Sequence, residues 1–100
     1  MEYIALKPSL FGFKNIIVTA IEPTLFDNRG RIIAKPDLIF YSVNKDIYIV
    51  EHKSNGNEDL IKRAQEQLYN AGYWFSKYTT ISPKTKIIDG SHHKELKRFR

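Results

Sequence analysis

Two neighbouring stretches of the chain are apolar on both faces of the strand that each would form. Residues 38–41 read Leu-Ile-Phe-Tyr, and residues 47–50 read Ile-Tyr-Ile-Val. Successive side chains of a strand point to opposite faces, so a strand with one face in water alternates apolar and polar residues. These two stretches do not alternate, and they therefore predict adjacent central strands that are covered on both sides. The segment Val-Asn-Lys-Asp (43–46) between them is typical of a turn.

The rest of the chain places these strands in an α/β domain. β-branched and apolar residues favour strands, and on this basis strands are predicted at residues 15–26, 31–42, 47–54 and 84–89. Pro23 suggests an edge or a bulge in the first strand, and residues 27–30 form a turn before the second. Pro8 and Gly12 interrupt the first fourteen residues, so an N-terminal helix is short or missing.

Residues 58–78 have the pattern of an amphipathic helix. Their apolar side chains fall within about 100° of arc at the helical period. Asn57 is a suitable N-cap, and acidic residues in the first turn favour the helix dipole. The predicted order is a three-stranded meander, then a helix, then a further strand.

The 100 residues suffice for a single domain, with residues 91–100 as a basic tail. The formal net charge is +5, which favours polyanions and nucleic acid above all. The absence of cysteine excludes disulfides and thiolate zinc sites. No apolar run approaches the roughly 20 residues of a membrane span, and the start does not resemble a secretory signal, so we expect no membrane partner and a cytoplasmic location.

Ionisable residues stand at the ends of the two central strands, where strand interiors disfavour them: Asp37 in the second strand, and Glu51 and Lys53 in the third. In a hairpin, Asp37 lies directly across from Glu51 only if the loop has an odd number of residues, such as residues 43–45, or if a bulge corrects the register. A two-residue turn at Asn44 and Lys45 would place the two carboxylates on opposite faces.

Two facing carboxylates repel each other, and their burial in the ionised state is costly. A divalent cation reverses that interaction, and hard oxygen ligands suit Mg²⁺ or Mn²⁺. Lys53 lies on the face of Glu51, where its amine could orient or deprotonate a water, or neutralise charge that develops on a phosphorane. These groups are suited to phosphodiester hydrolysis; the alternative is a structural ion pair at a strand end.

The pair Pro36-Asp37, followed in the next strand by Glu51-His52-Lys53, resembles the motif of the PD-(D/E)xK nuclease superfamily. The resemblance covers roughly residues 16–90, and it implies a restriction-endonuclease-like core, an αβββαβ unit around a mixed sheet. It further implies a Mg²⁺-dependent deoxyribonuclease, of exonuclease or Holliday-junction-resolvase type, in which Asp37, Glu51 and the backbone carbonyl of His52 bind the metal. Lys53 would position or activate the attacking water, and the His52 side chain would pack on the far face.

Members of this superfamily often carry a glutamine on the helix after the lysine, which implies a role for Gln67 or, alternatively, Gln65. They also carry a helix before the first strand that often supplies a further glutamate. Glu2 and Glu22 are the candidates here, and Glu22 shares the face of Asp37 if the first hairpin has a two-residue loop at residues 28–29. A three-residue loop would turn Glu22 away.

Basic side chains are candidates for DNA phosphates. They are Lys35, Lys62, Arg63, Lys94, Lys97, Arg98 and Arg100. A cut through both strands would need a homodimer, because one site reaches one strand. The alternative to an enzyme is a nucleic-acid-binding or assembly module that keeps the fold without turnover.

Overall fold

The computed structural model describes residues 2–53 and 57–88. Its elements are α1 (Glu2–Leu6), a 3₁₀ turn (Pro8–Phe11), β1 (Ile16–Ile21), β2 (Leu25–Phe26), β3 (Ile32–Ala34), β4 (Leu38–Ser42), β5 (Ile47–His52), α2 (Glu58–Tyr78) and β6 (Lys84–Ile88). This is a mixed α/β structure with one main helix. The predicted helix is confirmed at both of its ends, and the N-terminal helix is short, as expected.

The main sheet has the order β1-β4-β5-β6. β4 is antiparallel to β1 and to β5, and β6 is parallel to β5. A parallel pair needs a long crossover connection, which α2 provides here. The predicted meander and the strand after the helix are thus present, and the last described strand ends at Ile88.

The first two predicted strands were too long, because the chain breaks each of them into two. The first break is at Glu22, whose φ of 49° is left-handed, and Pro23 follows it. The second break is at Lys35 and Pro36, between β3 and β4. A proline cannot donate to a sheet ladder, so regular pairing stops there. The outer pieces, β2 and β3, form a separate two-stranded sheet.

The central strands are covered on both sides, as their sequence predicts. One face of the main sheet, here the N-terminal face, carries a cluster of Ile4, Phe11, Phe13, Leu38, Phe40, Val50 and Ile88. The other, here the helix face, carries Leu25, Ala34, Ile49, Leu68, Ala71 and Phe75. Helix α2 lies on this second face, on the side of the sheet to which Asp37 and Glu51 belong by alternation from Ile39 and Ile49.

Within residues 2–53 and 57–88, no helix combines the length and the apolar character that crossing a membrane requires.

Candidate functional site

Four residues, 43–46, separate β4 from β5, and a hydrogen bond between Ser42 and Asp46 closes a three-residue loop, 43–45. Ser42 N donates to Asp46 O at 2.9 Å, and Lys45 N donates to Ser42 O at 3.0 Å. Lys45 closes the loop in the left-handed region, with φ of 68°. This is the odd loop length that the register requires, so the two-residue alternative is wrong.

The strand register follows from this loop. Leu38 pairs with Val50, at the end of a ladder that begins at the loop. One step further along, Asp37 lies opposite Glu51, and residues directly opposite in an antiparallel pair share a face. The structure therefore brings the two carboxylates together on the helix face.

Where the hydrogen-bond ladder between β4 and β5 ends, the two carboxylates accept hydrogen bonds from the backbone in its place. Asp37 N donates to Glu51 Oε2 at 2.7 Å, and His52 N donates to Asp37 Oδ2 at 2.7 Å. Each side chain thus accepts a hydrogen bond from the backbone of the opposite strand. These bonds fix the position of both carboxylates and satisfy two backbone donors that would otherwise lose their strand partners.

Glu51 is buried, with a residue exposure of 1%. The pKa of its carboxyl is raised from 4.5 to about 7, mainly by burial and also by the negative charge of Asp37, against the lowering effects of the Asp37 N–H bond and of Lys53. Removal of a carboxylate from water disfavours its charged form. A positive charge in the pocket would reverse this effect.

Lys53 supplies one such charge. Its Nζ lies 3.7 Å from Glu51 Oε1, and its side chain is 22% exposed. Its backbone N donates to Ile88 O at 2.9 Å, so β6 holds the chain as it leaves β5. The amine therefore faces the carboxylates from a fixed backbone while it stays accessible to a solvent molecule or a substrate.

Helix α2 closes the other side of the site. Gln67 Oε1 accepts a hydrogen bond from Lys35 N at 3.2 Å, immediately before the Pro36-Asp37 pair. A pocket of about 320 Å³ is lined by Lys35, Asp37, Glu51, Lys53, Arg63, Glu66, Gln67 and Asn70. Gln67, the preferred of the two glutamines, therefore lies with the carboxylates, whereas Gln65 is exposed and lines a different pocket on the outside of the helix.

Sequence reasoning did not single out Glu66 and Asn70. Both follow Arg63 at helical spacings of three and seven residues, so they lie along the same side of α2 as Arg63. That spacing is visible in the sequence, but the side of the helix that faces the strand ends depends on how α2 packs on the sheet.

Other predicted residues lie elsewhere. Glu22 N donates to Asp37 O at 2.8 Å, which places its backbone beside the site. Its side chain is exposed and does not line the pocket. The loop of the outer hairpin has three residues, 28–30, with Gly30 at φ of 81°. Of the two loop lengths considered, this is the one for which Glu22 was predicted to turn away from the site.

The basic candidates divide between two surfaces. Lys35 and Arg63 line the carboxylate pocket, and Lys62 lines the outer one. Glu2 belongs to α1, and its side chain lies outside the described part of the structure. The tail candidates Lys94, Lys97, Arg98 and Arg100 lie outside the described residues. His52 alternates with Glu51 and therefore belongs to the N-terminal face, as expected.

The donor set fits a hard divalent cation in part. Within the described ranges no group of three or more His, Cys, Asp and Glu side chains is placed to hold a metal. Asp37 and Glu51 offer carboxylate oxygens, and the hydrogen bonds above engage one oxygen of each. Mg²⁺ commonly binds one or two carboxylates and completes its shell with waters and substrate phosphates. Two side chains and one backbone carbonyl are therefore compatible with Mg²⁺ or Mn²⁺.

Comparison of the chain with protein-family models, with curated proteins and with solved structures gives no match.

Proposed function

We propose that this chain is a metal-dependent deoxyribonuclease of the PD-(D/E)xK type. The observation that carries the proposal is the three-residue loop, because it aligns Asp37 with Glu51 on the helix face. If the match to the motif were a coincidence, there would be no reason for the strand register to bring Asp37 and Glu51 together. In the main sheet three strands, β1, β4 and β5, come before α2, and β6 follows it parallel to β5. This order supports the restriction-endonuclease-like core, with the β2–β3 hairpin as an insertion between β1 and β4.

In this proposal Asp37, Glu51 and the carbonyl of His52 hold Mg²⁺ or Mn²⁺. When bound, the ion polarises the scissile phosphate and stabilises the charge added to it. Lys53, whose Nζ lies 3.7 Å from Glu51 Oε1, would orient the attacking water and offset negative charge on the phosphate. Gln67 positions the Pro36-Asp37 pair through Lys35 N. Lys35 and Arg63 are placed to hold flanking phosphates, since both line the same pocket.

The test is cleavage of supercoiled, linear and branched DNA with Mg²⁺, with Mn²⁺ and with EDTA. We expect cleavage that needs the metal, and a loss of at least about 100-fold for Lys53→Ala, the usual scale for a positioned acid or base. The matched control is Lys86→Ala, an exposed lysine on β6. Equal rates for the wild type and Lys53→Ala, or no cleavage in either metal, would reject the catalytic proposal.

A second candidate is a DNA-binding or assembly module without turnover. It is favoured by the hydrogen bonds that Asp37 and Glu51 make to backbone N–H groups, since these give both carboxylates a structural role. Titration calorimetry separates the two candidates. Binding of DNA without any binding of Mg²⁺ or Mn²⁺ would favour the module over the enzyme.

A further inference from the structure

The two edge strands of the main sheet differ in charge. β6 forms one edge and reads Lys-Thr-Lys-Ile-Ile, with Lys84 and Lys86 both exposed. β1 forms the other edge and reads Ile-Ile-Val-Thr-Ala-Ile, with no charged residue and no proline. Natural sheets protect their edges with lysine, proline or a bulge, because an open edge offers unpaired backbone groups to another strand. The β6 edge has this protection in its lysines, whereas the β1 edge has only a bulge between Ile16 and Val18, before its regular part begins.

The side chains of β1 are exposed as well as apolar. Ile17 is 60% exposed, Val18 is 54% exposed and Ile21 is 53% exposed. A bulge between Ile16 and Val18 is the only irregularity in the pairing of β1 with β4. From Val18 to Ile21 the strand is regular, and among the described residues its outer side has no strand partner.

Two opposite charges lie at equal sequence distances on either side of Val18. Lys14 and Glu22 stand four positions before and four positions after Val18, and every residue between them is uncharged. Both are exposed, and within the described part of the chain neither belongs to one of the ion pairs, which join Arg31 to Asp27, Lys53 to Glu51 and Lys84 to Asp46.

This arrangement is complementary to itself. If two copies of β1 pair antiparallel about a two-fold axis at Val18, residue numbering brings Lys14 of each copy near Glu22 of the other. Both residues lie just outside β1, next to or at a left-handed backbone position (Asn15 and Glu22), so they flank the ladder and are not a pair within it. Opposite charges directly across an antiparallel pair stabilise it, and like charges destabilise it. An in-register parallel pairing would instead place Lys14 beside Lys14 and Glu22 beside Glu22. The bulge between Ile16 and Val18 and the left-handed Asn15 and Glu22 offset the two charges from exact opposition, and the proposed contact relies on the length of the lysine side chain to span that offset.

We propose that a second copy of this chain pairs with the outer edge of β1, antiparallel and centred on Val18. The contact is isologous, so it closes at a dimer and joins the two main sheets into one. It does not depend on the nuclease proposal. It does place the dimer interface beside the pocket, because the backbone N of Glu22, directly after β1, donates a hydrogen bond to the carbonyl of Asp37.

The first test is sedimentation equilibrium of the full chain across the micromolar range. We expect the mass of a dimer for the wild type and of a monomer for Val18→Lys, which puts a charge at the centre of the contact. The matched control is Ile32→Lys, an apolar residue that is 66% exposed on β3; it should stay dimeric. Circular dichroism verifies that both variants are folded.

The second test is a charge swap. Lys14→Glu and Glu22→Lys should each raise the dissociation constant by about 3- to 30-fold, since each creates two like-charge contacts in the dimer. The double variant should restore it, because the opposed charges are then exchanged.

A wild type that stays monomeric, or a dimer unaffected by Val18→Lys, would overturn the proposal. A double variant no tighter than the single ones would overturn the register. A monomer in which the outer amides of β1 resist hydrogen exchange would mean that another segment of the same chain covers the edge, which also overturns it.

Discussion

Glu51 combines a buried position with a carboxylate neighbour, and this combination makes the stability of the protein depend on pH. The folded state holds the proton of Glu51 with a pKa of about 7, and its ordinary value is 4.5. The folded protein therefore binds more protons than the unfolded chain between these two values. Its free energy of unfolding must fall as pH rises across that window.

We expect the free energy of unfolding of the metal-free protein to fall by about 3 kcal/mol between about pH 4.5 and pH 8, at about 1.4 kcal/mol per pKa unit. The stabilisation is complete below the unfolded pKa and is lost as pH rises through the folded one. Urea denaturation at several pH values in EDTA measures it. Glu51→Gln keeps an acceptor for Asp37 N and should remove most of the slope. A wild-type stability that rises with pH in this window would contradict the expectation.

At the scale of the elements, the site depends on how the chain turns between β4 and β5. The apolar runs and the turn composition predicted the two strands, and the capped amphipathic pattern predicted α2 with its correct ends. The loop length remained open in the sequence, because Asn44 is the more usual left-handed residue and would suit a shorter turn. In the structure Lys45 takes the left-handed position instead.

The breaks in the first two strands were also beyond a local pattern. Pro23 signalled an irregularity, but not the left-handed φ of Glu22 or the separate β2–β3 sheet, whose Leu25 and Ala34 pack against α2. In the same way, the sequence left Gln67 and Gln65 as alternatives, and only the packing of α2 on the sheet shows which of them faces the carboxylates. The motif residues could be found in the local sequence, whereas the pocket around them forms only when α2 packs on the sheet.

The left-handed position of Lys45 gives a prediction at this scale. Lys45→Gly should raise the free energy of unfolding by about 0.5–1 kcal/mol, because glycine adopts a positive φ without the steric cost of a Cβ. Asn44→Gly is the matched control in the same loop; Asn44 is not among the residues with positive φ, so glycine there should give no gain. Chemical denaturation of both variants measures the difference. A higher free energy of unfolding for Asn44→Gly and an unchanged one for Lys45→Gly would show that Lys45 is not the left-handed residue of this loop.

At the scale of the whole molecule, the central strands tie the two layers of the core together. Leu38, Phe40 and Val50 contribute to the cluster on the N-terminal face, and Ile49 contributes to the cluster on the helix face. Neither layer can leave the sheet without exposing one face of β4 and β5 to water. A protein of this size built in this way is expected to unfold in one cooperative step.

Two phenylalanines on opposite layers test this cooperativity. Phe40 is fully buried on the N-terminal face, and Phe75 is 6% exposed on the helix face. Either Phe→Ala change should cost about 3–5 kcal/mol, a large share of the roughly 5–15 kcal/mol that a small domain has. Phe26→Ala, at a residue that is 50% exposed, is the control and should cost about 1 kcal/mol.

The decisive measurement follows each urea transition by two probes, far-UV circular dichroism and the fluorescence of Trp74, the single tryptophan. Trp74 packs against the cluster on the helix face, so it reports directly on that layer. If the layers unfold together, Phe40→Ala moves the Trp74 transition as far as it moves the dichroism, although the mutated side chain lies on the other side of the sheet. If the layers were independent, Phe40→Ala would shift the dichroism and leave the fluorescence midpoint in place. The shared strands β4 and β5 require the first outcome.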